Sequence, residues 1–484
     1  MSLKKQAVSG VKWTAISAVL ATFFQLLLVS ILARLISKSD FGLMAIAIFI
    51  TGFSSMFIDM GISNAIIYRT TITHKQLSSL YWVNVFTGIL IYVIIILAAP
   101  AIAIFYNDNR LIDVLYLAGA TFLIQPFGMQ FAVLLRKEMN FKSLAYRDVA
   151  SKFIGLIVGS ILGYLGYGVY ALVLSSLVST CVSTVLLVLI GIRMHKPGFY
   201  FNYAEIKEFL SFGVFQLGEK MVNYFNTEVD SIIIGKFLGV ESLGGYSIVK
   251  SFVMRPAQVI NPIITKVSFP LMAKVNEDIA KVKYIYLKTL GLLSTLNFPL
   301  FLFMIFFAEP VVMIVFGKEW INTAVLLRIL AAYALVRSTV NPIGSLQMAR
   351  GRADLGFYWN MVLLIFVPLT VWIGSYWGIV GVCWAFFILQ CSFSIPVWYF
   401  MVNKLSEASF KEYYATILYP LFIALVPALF VGSLYLFNMF NIKAFSSLEI
   451  ILICCPLYGV AVILMNFLFN KEMLEEFRKL IKKN

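Results

Sequence analysis

Cut at its clusters of charge, glycine, proline and asparagine, the chain falls into fourteen apolar stretches. They cover residues 11–36, 40–68, 78–105, 111–135, 143–165, 168–192, 209–237, 241–271, 284–308, 321–349, 353–374, 378–402, 412–437 and 445–470. Each is near or above the ~20 residues that carry a helix across ~30 Å of hydrocarbon. In lipid a backbone must satisfy its own hydrogen bonds, so the pattern predicts an all-α polytopic membrane protein with fourteen transmembrane helices. Composition agrees, with 61% apolar and 13% charged residues against roughly half and a quarter in soluble domains. Too little sequence lies between the stretches for an extramembrane domain. That argues against an enzyme with a separate catalytic domain and against a receptor with a ligand-binding ectodomain.

The formal charge of +15 would suggest nucleic acid in a soluble protein, but its placement follows the membrane instead. With the N-terminus inside, 27 of the 38 Lys and Arg fall at cytoplasmic ends. Six fall outside, namely Arg34, Lys38, Arg110, Lys236, Lys318 and Lys443. This asymmetry predicts both termini in the cytoplasm, with lipid and not nucleic acid as the surrounding partner. Residues 1–36 have a basic start and an apolar run, yet the run is long and no small-residue cleavage site follows, so a retained first span is expected. The five cysteines all lie in predicted spans, which offers neither a disulfide framework nor a zinc site. His74 and His195 fall in separate cytoplasmic loops, leaving Ser/His catalysis and metal chemistry almost without candidates.

The chain repeats itself. Arg34, Phe41 and Gly42 recur as Lys236, Leu243 and Gly244, and Pro126, Gly128 and Arg136 recur as Pro342, Gly344 and Arg352 with the same spacing. An even number of spans per copy keeps both copies in one orientation, so a parallel repeat is expected. The predicted organisation is two pseudo-symmetric six-helix lobes, residues 1–200 and 201–405, with spans 13 and 14 and a basic amphipathic tail appended over 406–484. Two such lobes with a midplane site between them suit alternating-access transport.

Charged side chains inside the membrane cost about 3 kcal/mol each on insertion scales, so they must meet water, one another or a ligand. The chain carries several toward the middle of spans: Asp59, Glu219, Lys220, Glu228, Asp230, Lys250, Arg255, Arg328 and Arg337. In span 7 the residues Gln216, Glu219, Asn223, Asn226 and Asp230 recur at alternating steps of three and four, which places them on one helix face. Arg255 shares a polar face of span 8 with Ser247 and Ser251, and Arg337 shares one of span 10 with Asn341. Gln25 supplies a milder counterpart in span 1. These faces predict a wet central cavity. Its candidate ligand-binding residues are Arg255, Arg337, Lys220, Lys250, Gln216, Asn223, Asn226, Asn341 and Gln25. Glu219, Asp230 and Asp59 are candidates for binding a proton or sodium ion, and no other cofactor is expected. The alternative reading of each charge is a buried structural pair. Arg328 lies on the far side of its helix from Arg337 and is the weakest candidate, while Lys250 lies well off the Arg255 face.

Prolines inside spans, Pro256 and Pro262 among them, mark candidate kinks. Gly155, Gly159 and Gly163 form successive small-residue steps that predict close helix packing in span 5.

The opening GVKWTAISAVLATFFQLLLVSILARLISKSDFGLMAIAIFITGFSSMFIDMGISNAIIYR and the later segment LLRKEMNFKSLAYRD resemble the polysaccharide-transport (Wzx) branch of the multidrug/oligosaccharidyl-lipid/polysaccharide (MOP) flippase superfamily, of the colanic acid exporter type. The resemblance spans nearly the whole chain and contains no catalytic motif. It implies a MATE-like fold of 6+6+2 helices and a transporter, not an enzyme. It also implies an undecaprenyl-pyrophosphate-linked oligosaccharide as cargo, moved from the cytoplasmic to the periplasmic leaflet for polysaccharide biosynthesis. A polymerase or export machinery would be the downstream partner, and a monomer is the default state. The competing readings are a multidrug or cationic-compound antiporter, which would favour a more acidic cavity, and a membrane glycosyltransferase or polymerase. The latter usually carries a large outer loop, and the longest here, about residues 309–320, is too short. A non-transporting scaffold would leave the charged interior unexplained.

Overall fold

The computed structural model describes residues 3–59, 62–68, 72–437 and 445–469. The expected amphipathic tail over 471–484 lies outside the described residues, as do the side chains of Gln216 and Glu219. Among the described residues every regular element is a helix, with no strand. Contacts divide the chain into two compact units, Met1–Ser247 and Ile248–Asn484.

The first unit contains α1 (Leu3–Ala33), α2 (Lys38–Asp59), α3 (Ile62–Tyr68), α4 (His74–Tyr106), α5 (Arg110–Gly119), α6 (Thr121–Lys137), α7 (Phe141–Tyr164), α8 (Val169–Gly191) and α9 (Tyr203–Phe237). The start of α10 (Val240–Lys274) belongs to it as well. The second unit continues with α11 (Ile279–Phe306), α12 (Ala308–Val315), α13 (Ala324–Ser338), α14 (Pro342–Ala349), α15 (Ala353–Ser375), α16 (Gly378–Val397), the short α17 (Lys404–Ser406), α18 (Phe410–Leu436) and α19 (Ser447–Phe469). A 3-10 turn over Lys318–Thr323 leads into α13, and a π turn over Trp398–Asn403 follows α16.

Among the described residues, eleven helical segments are long and apolar enough to cross a membrane. Three further long helices, α7, α9 and α10, carry more polar and charged side chains and fall short of that standard. Five of the long helices start where the sequence supplies a side-chain cap. Thr73 and Gln76 form a capping box at α4, and Ser409 and Glu412 form another at α18. Asn140, Asn202 and Asp278 accept from backbone amides at the starts of α7, α9 and α11. The left-handed Asn107 (φ 56°) ends α4.

Within the first unit α7 packs between α1 and α8, and its glycines set the spacing. A Cβ on Gly159 would lie 2.7 Å from Leu28 of α1 and 2.8 Å from Ser175 of α8, and one on Gly163 would lie 2.4 Å from Leu32. The small-residue steps are thus helix-packing surfaces. In the second unit a buried cluster joins Met272, Tyr286, Leu290, Leu346, Met401 and Tyr413. Helix α10 stays continuous through Pro256, Pro262 and Pro270. The expected span 10 is present as the apolar segment Lys318–Ala349, with a break inside it where α13 ends at Ser338 and α14 restarts on Pro342.

Candidate functional site

The polar face of α9 divides. Lys220 and Asn223 are exposed, whereas Asn226 and Asp230, one and two turns further on, are buried. Asp230 is 2% exposed, and its Oδ2 accepts a 2.6 Å hydrogen bond from the Tyr246 hydroxyl while Oδ1 accepts from the Ser231 amide. Periodicity placed these residues on one side of a helix, but it carries no information on which neighbour covers that side. Glu228 is half-buried beside them.

Next to that face lies an aromatic seam that the charge pattern concealed. Phe49, Phe53 and Phe57 project from α2 at steps of four; Phe49 and Phe53 meet Tyr224 and Phe225 of α9, and Phe57 packs edge-on against Phe53. The Phe49 and Tyr224 rings stack at 5.7 Å, and the Tyr224 hydroxyl donates to the Phe49 carbonyl at 2.8 Å. Gly52 makes room for it, since a Cβ there would stand 2.3 Å from the Tyr224 oxygen. A lone glycine amid bulky apolar residues was the available signal.

Asp59 is half-buried at the end of α2, and its Oδ1 accepts from the Ser63 amide at 3.0 Å, capping α3. Gln25 is half-buried on α1.

In the second unit, Arg255 is half-buried on α10, and Lys250 is half-buried on the same helix. Arg337 is exposed at the end of α13, where it donates to the Tyr333 hydroxyl and its guanidinium lies 5.7 Å from that ring's centre. Asn341, at the break that follows, is exposed. Arg328, the weakest candidate of the set, is held in an ion pair with Glu309 at 2.7 Å. A chain of small polar groups joins α10 to α11, with Asn297 donating to Asn261 at 2.9 Å and Thr289 to Ser268 at 2.8 Å, all four buried.

Taken unit by unit, the first supplies an ammonium group at Lys220, amides at Asn223 and Asn226 and carboxylates at Asp59 and Asp230, and the second supplies guanidinium groups at Arg255 and Arg337 and an ammonium group at Lys250. Among the described residues no group of three or more His, Cys, Asp or Glu could hold a metal ion.

The chain is 31% identical over 426 residues to the lipopolysaccharide biosynthesis protein WzxC of Escherichia coli (strain K12), covering 88% of this chain and 87% of that one. It is 31% identical over 424 residues to the teichuronic acid biosynthesis protein TuaB of Bacillus subtilis (strain 168), with 87% of each covered. Its fold is similar to that of the lipid II flippase MurJ in an inward closed conformation, with a TM-score of 0.74, 15% identity, and 96% of this chain and all of that one covered. Residues 31–325 match the family described as polysaccharide biosynthesis protein, and the chain belongs to that family.

Proposed function

We propose that the protein is a flippase. It carries an undecaprenyl-pyrophosphate-linked oligosaccharide from the cytoplasmic to the periplasmic leaflet of the bacterial inner membrane by alternating access, without making or breaking a covalent bond. The observation that carries the reading is membership of a polysaccharide biosynthesis family combined with Arg255 and Arg337 on long helices. A pyrophosphate is a compact polyanion, and guanidinium groups in a low-dielectric setting replace its water with charge-assisted hydrogen bonds. Exposed Asn223 and Asn341 and half-buried Gln25 offer amides to sugar hydroxyls, and the lipid tail stays in the bilayer.

In this reading α7, α9 and α10 join the eleven apolar segments as spans, for fourteen in all, with both termini cytoplasmic. The spans form two six-helix repeats, residues 1–200 and 201–405, with 406–484 appended. The protein works as a monomer, coupled to a proton or sodium gradient through Asp230, Glu219 or Asp59, and hands its cargo to a polymerase or export machinery outside. The test is reconstitution of purified protein in liposomes with a defined lipid-linked oligosaccharide. Protein-dependent appearance of the sugar on the opposite face supports the proposal, and its absence with correctly folded protein overturns it.

A further inference from the structure

We infer that Gly42 and Gly244 form a reciprocal backbone clasp that shuts the outer end of the transport path, and that outward opening requires the clasp to part. The inference rests on the transport reading above, which makes the end bearing the α1–α2 and α9–α10 turns the outer one. All of the residues involved lie in the first compact unit.

Gly42 sits in the first turns of α2 and Gly244 in the first turns of α10, and both are buried. A Cβ on Gly42 would stand 1.9 Å from the Val240 carbonyl oxygen, and one on Gly244 would stand 1.8 Å from the Lys38 carbonyl oxygen and 2.8 Å from the Gly42 amide nitrogen. Backbone meets backbone, so no rotamer change could relieve a methyl group at either place. Neither glycine has a positive φ, so conformational freedom is not the reason for it. Size is.

The two contacts are also equivalent under the internal repeat, which pairs Gly42 with Gly244 and, at the same spacing, Lys38 with Val240. One close approach is ordinary helix packing. Two that exchange partners in this way are the signature of a pseudo-two-fold contact, in which the same patch faces its own copy. Neighbouring polar contacts brace both sides. Arg110 donates to Ser39 at 2.7 Å and grips Asp108, tying the start of α2 to the α4–α5 turn. Lys236 donates to the Phe105 carbonyl at 2.7 Å, tying the end of α9 to the end of α4. The clasp contacts themselves are backbone against backbone. Such backbone packing with weak C–H···O character can release at little cost. A methyl group on either glycine removes room only in the closed state, and therefore shifts the population towards the open one.

The experiment reads accessibility, which does not depend on the cargo, so it separates failure of the clasp from failure of the flippase reading. The five native cysteines are replaced, Asn223→Cys is introduced, and whole cells are treated with a membrane-impermeant maleimide. Gly42→Ala and Gly244→Ala should each raise labelling from outside at least fivefold. Gly459→Ala, whose Cβ would meet nothing within 4 Å, should not. Unchanged labelling in both clasp variants overturns the inference. A parallel variant retaining only buried Cys383 must stay unlabelled. If it reacts, the alanines have unfolded the protein, and the decision passes to a lock on the native glycines. Ser39→Cys and Glu241→Cys are bridged by a short cleavable bis-maleimide. Flipping that stops on bridging and returns on cleavage supports the clasp, and bridged protein that flips at the normal rate overturns it.

Discussion

His74 and His195, 121 residues apart in sequence, meet with their Nδ1 atoms 2.9 Å apart. Around them the segment after α8 is stitched to the start of α4. Gly198 donates to Ser78 at 3.1 Å, Trp82 donates to the Gly198 carbonyl at 2.9 Å, Asn202 donates to Ser79 at 3.1 Å, and Trp82 stacks on Phe199 at 5.0 Å. His195 is buried, and its Nε2 finds no partner among the described residues.

Burial, and secondarily the neighbouring His74, hold the His195 imidazole below its ordinary value. In the unfolded chain it would titrate near about 6.5. The unfolded state therefore binds more protons in the window below that value, and the stability contributed by neutral His195 is complete above about pH 6.5 and lost as pH falls through the lower folded value. Thermal unfolding in detergent between pH 7.5 and 5 should show the midpoint falling in wild type and falling less in His195→Gln. Parallel curves would remove His195 from the account.

Arg255→Ala and Arg337→Ala should each slow flipping tenfold or more with protein abundance nearly unchanged, because each removes charge-assisted hydrogen bonds worth about 1.5 to 3 kcal/mol. Lysine should rescue only in part, lacking the planar fork. Arg328→Ala is the control. It breaks a pair in which both side chains are partly exposed, so it should cost at most about 1 kcal/mol of stability and little transport. Liposome flipping rates read all three, and normal rates for both Arg255→Ala and Arg337→Ala would remove the basic groups from the site.

Eleven of the expected membrane-spanning segments were legible because they depend on local composition. The stretches at 78–105 and 412–437 reappear as α4 and α18 with their ends set by caps at Thr73 and Ser409. The packing role of Gly155, Gly159 and Gly163 was legible for the same reason, since spacing on one helix fixes one face. What spacing could not convey was the identity of the neighbour. Asn226 and Asp230 share a face with exposed Asn223 yet are covered, and Asp230 finds Tyr246 sixteen residues away on another helix. The histidine pair was likewise hidden, because each loop read alone shows a single histidine.

Asp230→Asn should leave abundance near wild type, since an amide oxygen can still accept from Tyr246. Asp230→Leu should lose about 1 to 3 kcal/mol by removing that buried acceptor. If Asp230 carries the coupling ion, Asp230→Asn also makes flipping insensitive to an imposed proton or sodium gradient. Retained gradient dependence in a folded Asp230→Asn protein would pass that role to Glu219 or Asp59.

The Gly52–Tyr224 contact allows a test by coupling rather than by loss. Gly52→Ala places a methyl carbon 2.3 Å from the Tyr224 oxygen, and overpacking of this kind typically costs 1 to 3 kcal/mol. Tyr224→Phe alone removes the hydrogen bond to the Phe49 carbonyl, a loss of about 0.5 to 1.5 kcal/mol. The clashing atom and the donating atom are the same oxygen, so the two costs cannot add. In the double variant the oxygen is gone, the new methyl group faces only a ring edge at 3.0 Å or more, and most of the alanine penalty should vanish. Thermal unfolding of the four proteins in one detergent gives the coupling energy directly. A favourable coupling of about 1 kcal/mol or more is expected, and strict additivity would mean that α2 and α9 do not meet at this oxygen.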